Sequence, residues 1–243
     1  MSRTQRRVNL TPGYLLHRRS FRDTSLIIEF FTREHGRLTC FARGARGPKP
    51  RFFGLQPFEP LLISWIGRGE APQLTGAEPD GFAGALPSAS LMSGFYLNEL
   101  MIKLTVQHDP HPELYELYDA TLGELRAGGS PEPILRRFEK RLLDLLGYGM
   151  ELATEVASQA PVQAAGFYRC HPGRGVQRAE SDSPGAVSGR VLLSLAAGEV
   201  PAAEADARAA RALMREALDH CLEGRELKTR VVARAVARLE RSA

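Results

Sequence analysis

Paired cysteines and long apolar runs are both missing from this 243-residue chain. Its three cysteines, Cys40, Cys170 and Cys221, are far apart and odd in number, which argues against a disulfide framework and fits a reducing compartment. They read as buried or bystander thiols. There is no C-x-x-C pair, and Cys170 simply adjoins His171, so four ligands at the spacing of a structural zinc site cannot be assembled. No apolar stretch approaches the roughly 20 residues that span a bilayer. Residues 1–9 are basic and polar and lack the apolar centre of a secretory signal. A soluble, cytoplasmic protein is expected. Catalytic spacings are missing too: there is no G-x-S-x-G elbow, and no Cys-His or Ser-His-Asp set emerges. Gly44 to Lys49 has the outline of a phosphate loop, but Pro48 stiffens it and Pro50 stands where Ser or Thr is needed. His108 and His111 flank Pro110 beside Asp109 and Glu113, a pattern that fits capping and turn formation better than a metal. No turnover, no cofactor and no metal are expected.

Acidic residues are missing from one stretch in particular. Between positions 37 and 51 lie Arg37, Arg43, Arg46, Lys49 and Arg51, with no Asp or Glu among them, and Phe52 and Phe53 follow. Glycine and proline keep this segment out of helix. Like charges so close repel unless a polyanion lies alongside. Cations beside aromatic rings suit single-stranded nucleic acid, whose phosphates follow the cations and whose bases stack on the rings. A solvated surface loop is the competing reading. The net charge is only +4, but residues 1–80 hold 13 Lys+Arg against 7 Asp+Glu, whereas residues 81–243 hold 19 against 21. The surface that faces a polyanion should therefore lie in the first third.

The pattern over that third is short and strand-like. Apolar or β-branched runs at 14–18, 26–31, 37–43, 61–66 and 73–75 give five strands, with a tight turn at 34–37. Five strands in about 75 residues, with a cationic loop after the third, fit a small closed barrel of the OB type. From about residue 88 the period becomes helical. Leu91, Phe95, Leu97, Leu100, Met101 and Leu104 mark one helix, and Leu114, Leu117, Tyr118, Leu122 and Leu125 a second. A third follows Ser130-Pro131, with a core stripe of Leu135, Phe138, Leu142 and Leu145 or Leu146. Residues 157–201 are rich in Gly, Ala, Pro and Ser, and no regular element is assigned there. A long helix over about 204–222 and a basic one over about 227–239 complete the chain. The expected class is α+β: an N-terminal five-stranded OB barrel (1–80), a mainly helical domain (81–150) and a small irregular C-terminal region with packing helices (151–243).

Many segments, in order, resemble those of the RecO family of bacterial recombination mediators. They include Gly13-Tyr-Leu-Leu-His-Arg-Arg-Ser20, Phe31-Thr-Arg-Glu-His-Gly-Arg37, Arg43-Gly-Ala-Arg46, Leu55-Gln-Pro-Phe58, Ser93-Gly-Phe-Tyr-Leu-Asn-Glu99, Leu135-Arg-Arg-Phe138, Leu146-Gly-Tyr-Gly149 and Gly224-Arg-Glu-Leu-Lys-Thr-Arg230. The resemblance runs over nearly the whole chain and weakens between about 152 and 204. It implies an OB domain, a helical domain and a C-terminal part that in many members holds zinc on two cysteine pairs. That pattern is absent here, so the chain is similar to the metal-free proteobacterial branch, and residues 151–243 are expected to hold a degenerate zinc-finger-like segment plus helices that pack on the helical domain.

The resemblance also implies partners. They are single- and double-stranded DNA, the acidic tail of the single-stranded DNA-binding protein SSB, the partner RecR and, indirectly, the recombinase RecA. DNA is expected on Arg37, Arg43, Arg46, Lys49 and Arg51, with Phe52 or Phe53 as stacking partners. The SSB tail is expected on the helix face of Arg136, Arg137, Lys140 and Arg141, with Arg136 meeting its carboxylates and its phenylalanine in an apolar slot including Leu117 or Leu125. These cations are like-charge neighbours at i, i+4, and either an acidic ligand or intrahelical partners such as Glu132 and Glu139 would relieve their repulsion. Lys228, Thr229 and Arg230 suit phosphate contact or docking within the protein, with docking preferred. The implied function is a non-enzymatic mediator that anneals SSB-coated strands and, with RecR, promotes RecA loading. Two alternatives stand beside it: a generic OB-type DNA or RNA adaptor, and a nuclease, for which Glu34 and Glu59 are too few carboxylates near the basic loop.

Overall fold

The computed structural model describes residues 7–46, 52, 54–67 and 69–240. The chain divides into two compact units, Met1–Gly128 with Leu227–Ala243, and Gly129–Glu226.

In the first unit, β1 (Arg7–Phe21), β2 (Ser25–Thr32), β3 (Gly36–Ala42), β4 (Pro60–Ile66) and β5 (Gln73–Pro79) form a closed barrel in the order β1-β2-β3-β5-β4. The α+β class with an OB-type barrel is thus observed. β1 is far longer than the 14–18 run because it serves two neighbours, pairing antiparallel with β4 through its first half and with β2 through its second. It turns between them through register shifts at Val8/Thr11 and Leu15/His17. Gly13 sits where both pairings overlap, and a Cβ there would stand 2.7 Å from Ile63 Cδ1 and 2.9 Å from Phe31 O, so only glycine fits. The barrel closes where the Phe41 N–H donates to Pro72 O at 2.9 Å, beside the parallel Phe41–Gln73 pair. Alternation on β3 sends Leu38, Cys40 and Ala42 inward and Arg37, Thr39 and Phe41 outward. The interior also takes Leu15, Ile28, Phe30, Leu61, Ile63, Trp65 and Leu74. Burial pushes the Cys40 thiol up to about 12.

Part of the barrel's outer surface is covered by α1 (Leu91–Leu104) and α2 (Pro112–Arg126). Tyr14 and Phe31 meet Tyr115 and Tyr118 with ring centroids 5.1–6.3 Å apart. The polar ends of these rings are satisfied: Tyr14 Oη donates to Asp119, Tyr118 Oη donates to Asn98, and the Asn98 amide donates to Leu16 O at 2.9 Å. The first unit also contains α6 (Lys228–Glu240).

The second unit holds α3 (Pro131–Leu145), β6 (Phe167–His171), β7 (Gly175–Ala179), β8 (Val187–Ser188), α4 (Gly189–Ala196) and α5 (Glu204–Leu222). Two expectations are corrected here. The buried stripe of α3 is Ile134, Phe138, Leu142 and Leu143, one position round from Leu135, which is half-buried. That rotation carries Arg136 and Glu139 onto the buried side. The stretch 157–201 is also ordered into a three-stranded sheet, β7-β6-β8, followed by α4. Val162, Tyr168, Cys170, Val176, Val187, Val191, Leu192 and Leu195 are buried in it. Cys170 lies against Met150, Sγ to Sδ 3.7 Å, and burial pushes its thiol up to about 11. Among the described residues no group of three or more His, Cys, Asp or Glu is placed to hold a metal ion, and no helix is long and apolar enough to cross a membrane.

Candidate nucleic-acid interface

The loop that leaves β3 starts beside the β1–β2 turn, because the Arg46 N–H donates to Thr24 O at 2.9 Å. Arg43 and Arg46 are exposed, and Gly44 takes φ +67 between them. Arg18, Arg19 and Arg22 are exposed on the end of β1 and the turn that follows. Arg18 Nη1 donates to Leu55 O at 3.0 Å, tying the segment before β4 onto β1, while Arg22 lies 5.3 Å from the Phe21 ring centroid. The same turn holds one exposed acid, Asp23. The result is a predominantly cationic end of the barrel assembled from two chain segments. Sequence reading found only the segment after β3. Arg18 and Arg19 lay within a quoted family segment but were given no role, because nothing local says that their strand end meets the later loop.

Arg37 is placed differently. It lies on the outer face of β3 with its guanidinium 13% exposed, paired with Glu29 through Nη1 at 3.0 Å. Its Nε donates to Thr105 Oγ1 at 3.2 Å and its Nη2 to Thr105 O at 2.9 Å. Gln107 Nε2 donates to Thr39 Oγ1 at 3.0 Å, so the α1–α2 linker covers this part of β3. A phosphate would have to displace these bonds, and Arg37 acts as a clamp between barrel and linker. Phe52 is half-buried against the barrel core. Its face is at least partly given to packing rather than to a base. Lys49, Arg51 and Phe53 lie outside the described residues.

On α3, Arg136, Lys140 and Arg141 each have an acid within one turn. Arg136 Nη1 is 2.7 Å from Glu139 Oε2, and both are buried, Glu139 completely. Lys140 Nζ is 2.8 and 2.7 Å from the two Asp144 oxygens. Arg141 is 56% exposed and 4.0 Å from Asp144. Glu132, expected as an intrahelical partner, instead pairs with Arg211 of α5 at 3.0 Å. Arg137 is half-buried. Leu125, expected in an apolar slot, has no exposed surface, because it belongs to the core of the first unit. Leu117 is half-buried on α2.

The start of α6 is an anion site that the protein fills itself. Glu99 accepts from the Lys228 and Thr229 N–H groups at 2.8 and 2.9 Å and from Thr229 Oγ1 at 2.7 Å. Burial pushes this carboxyl up, but those hydrogen bonds and Lys103 outweigh it and hold it below the usual range. Arg230 reaches back to Tyr96, Nη2 to Oη 3.4 Å, with its guanidinium 5.8 Å from the ring centroid. Lys228 and Arg230 thus flank a docked helix start.

Comparison with known proteins divides the chain just after the barrel. The sequence model described as "Recombination protein O N terminal" matches residues 7–81, which span the barrel, and "Recombination protein O C terminal" matches residues 89–230, which begin just before α1. The DNA repair protein RecO of Alkalilimnicola ehrlichii is 45% identical over 98% of this chain and 95% of its own length. That of an Azoarcus species is 42% identical over 94% of this chain and 96% of its own length, and that of Methylococcus capsulatus is 43% identical over 94% of each. With both halves matched in order and the relatives aligned almost end to end, the chain belongs to the recombination protein O family.

Proposed function

We propose that this protein acts in DNA repair by holding DNA on the cationic end of its barrel. The observation that carries this reading is the exposure of Arg43 and Arg46 next to Arg19 and Arg22, with the two segments tied by the Arg46–Thr24 hydrogen bond. The names of its relatives, all DNA repair proteins, point the same way. Lys49 and Arg51, on the same loop in sequence, extend the proposed contact set. Such a surface neutralises phosphates of either a single strand or a duplex and reads little sequence.

The finer reading is a mediator without turnover. It engages SSB-coated strands through SSB's acidic tail, brings complementary strands together by screening their phosphates and, with RecR, promotes loading of RecA. The tail is assigned to the basic face of α3, where Arg141 is the most exposed cation and Arg137 and Lys140 are its neighbours. Arg136, already neutralised by Glu139, shapes that face rather than meeting the tail directly. The test is annealing of complementary strands coated with intact SSB, beside strands coated with SSB lacking its tail. Fast annealing that collapses without the tail supports the mediator. Binding to bare strands without annealing under either coat reduces the protein to an OB-type nucleic-acid binder.

A further inference from the structure

At one mouth of the barrel a cavity of about 200 Å³ opens among Val8, His35, Leu38, Trp65, Pro72 and His108, with Gly67 and Gly69 completing its wall. Its floor is apolar, since Leu38 and Trp65 belong to the barrel interior. Two imidazoles stand at its rim, and the His35 ring meets Trp65 edge-on, centroids 5.1 Å apart at 85°. Among the described residues, none that line it is an Asp, Glu, Lys or Arg. The space is smaller than the roughly 300–1,000 Å³ of drug-sized ligand sites and suits a single planar ring system.

The rim is held by backbone contacts. The His35 N–H donates to Thr32 Oγ1 at 3.2 Å, and the His108 N–H donates to Arg37 O at 2.8 Å. Gly36, at φ +64, lets the α1–α2 linker press onto the β2–β3 turn, because a Cβ there would stand 2.0 Å from Asp109 O. His108 adopts φ +62, uncommon for a residue with a side chain, at the point where the linker passes the cavity. Gly67 and Gly69, at φ +120 and +96, contribute backbone to its wall. Arg7, exposed and next to Val8 on β1, donates through Nε to Asn9 Oδ1 at 3.0 Å.

We propose that this cavity is a subsite for one nucleobase of a bound single strand, stacked among His35, His108 and Trp65 while its phosphate stays outside near Arg7. The apolar floor and the rings at the rim fit the flat face of a base. The inference rests on the reading that the barrel binds DNA, and it adds a contact to a base where the arginines contact only the backbone.

Trp65 is the chain's only tryptophan, so its fluorescence reports on this cavity alone. The full chain is titrated with an oligothymidylate and with an abasic sugar-phosphate strand of the same length, following tryptophan emission, and affinity is measured separately by anisotropy of labelled strands. Both strands should bind, but only the base-bearing one should change Trp65 emission, and it should bind about tenfold more tightly. His35→Ala and His108→Asn should each remove most of that tenfold and leave abasic-strand affinity unchanged. Asparagine suits position 108 because it tolerates positive φ and lacks the ring. Equal emission changes with the two strands, or a base-dependent gain that survives both substitutions, would overturn the subsite and leave the phosphate-binding surface standing. Failure of either strand to bind would overturn the DNA-binding reading itself.

Discussion

The arginines that follow β3 and those along α3 are packed about as closely in the sequence, but they stand in different company. Arg43 and Arg46 are exposed, and among the described residues no ion pair is recorded for them. On α3, Glu139 lies against Arg136 and Asp144 against Lys140 and Arg141. A cation without a neighbouring acid keeps its field for a polyanion, whereas one that shares a helical turn with a carboxylate gives up much of it. Arg37 shows the second condition inside the first group, since Glu29 and Thr105 occupy its guanidinium. A count of basic residues therefore overstates the binding surface on α3 and at Arg37.

That contrast can be broken by mutation. The largest expected effect is from Glu139→Ala, which leaves Arg136 buried without its acid and should cost about 3–5 kcal/mol in denaturant unfolding. Arg43→Ala should cost less than about 0.5 kcal/mol in the same assay. Similar losses from the two would mean that the groups do not differ as described. Replacing the pair together, Arg136→Met with Glu139→Leu, should recover most of the loss.

Arg37→Ala comes next, at about 1–3 kcal/mol from the lost hydrogen bonds to a charged group, with the salt dependence of DNA binding unchanged. A shallower salt dependence would return Arg37 to the DNA-contact set. Glu99 gives a smaller effect of the same kind. Its carboxyl titrates lower in the folded chain than in the unfolded one, so its contribution is complete above the ordinary glutamate value and is lost as the pH falls through the lower, folded value. Glu99→Gln should lower stability by about 1 kcal/mol at neutral pH and flatten the acid limb of the melting curve. The smallest effect on stability, under about 0.5 kcal/mol, is expected for Arg141→Ala, whose ion pair is exposed and long. Its readout is weaker binding of an acidic SSB-tail peptide by anisotropy, and unaltered peptide affinity would move the tail site off α3.

Local patterns carried most of the fold. All five barrel strands were legible from their β-branched and aromatic runs, and five of the six helices from their apolar spacing. The length of β1 was hidden because Pro12, Gly13 and a positive φ at Leu10 break its alternation where it changes partners. The β6–β7 hairpin and α4 were hidden because their apolar pieces are short and set in Gly, Ala and Ser, so no period develops. At the candidate site, the exposure of Arg43 and Arg46 was legible from the absence of nearby acids in the sequence. Arg37 was misjudged because one partner, Thr105, lies 68 residues away. Arg136 was misjudged because a one-position rotation of α3, set by packing in the second unit, turned it inward.

The central claim is that the cations beyond β3 meet phosphates, and its most direct test is the salt dependence of single-strand binding by the intact chain and by the double variant Arg43→Gln with Arg46→Gln. Four contacts, at Arg43, Arg46, Lys49 and Arg51, predict a log–log slope of about −3, falling to about −1.5 in the variant with no change in melting temperature. A slope that the double substitution leaves untouched would contradict the claim and place the DNA elsewhere on the protein.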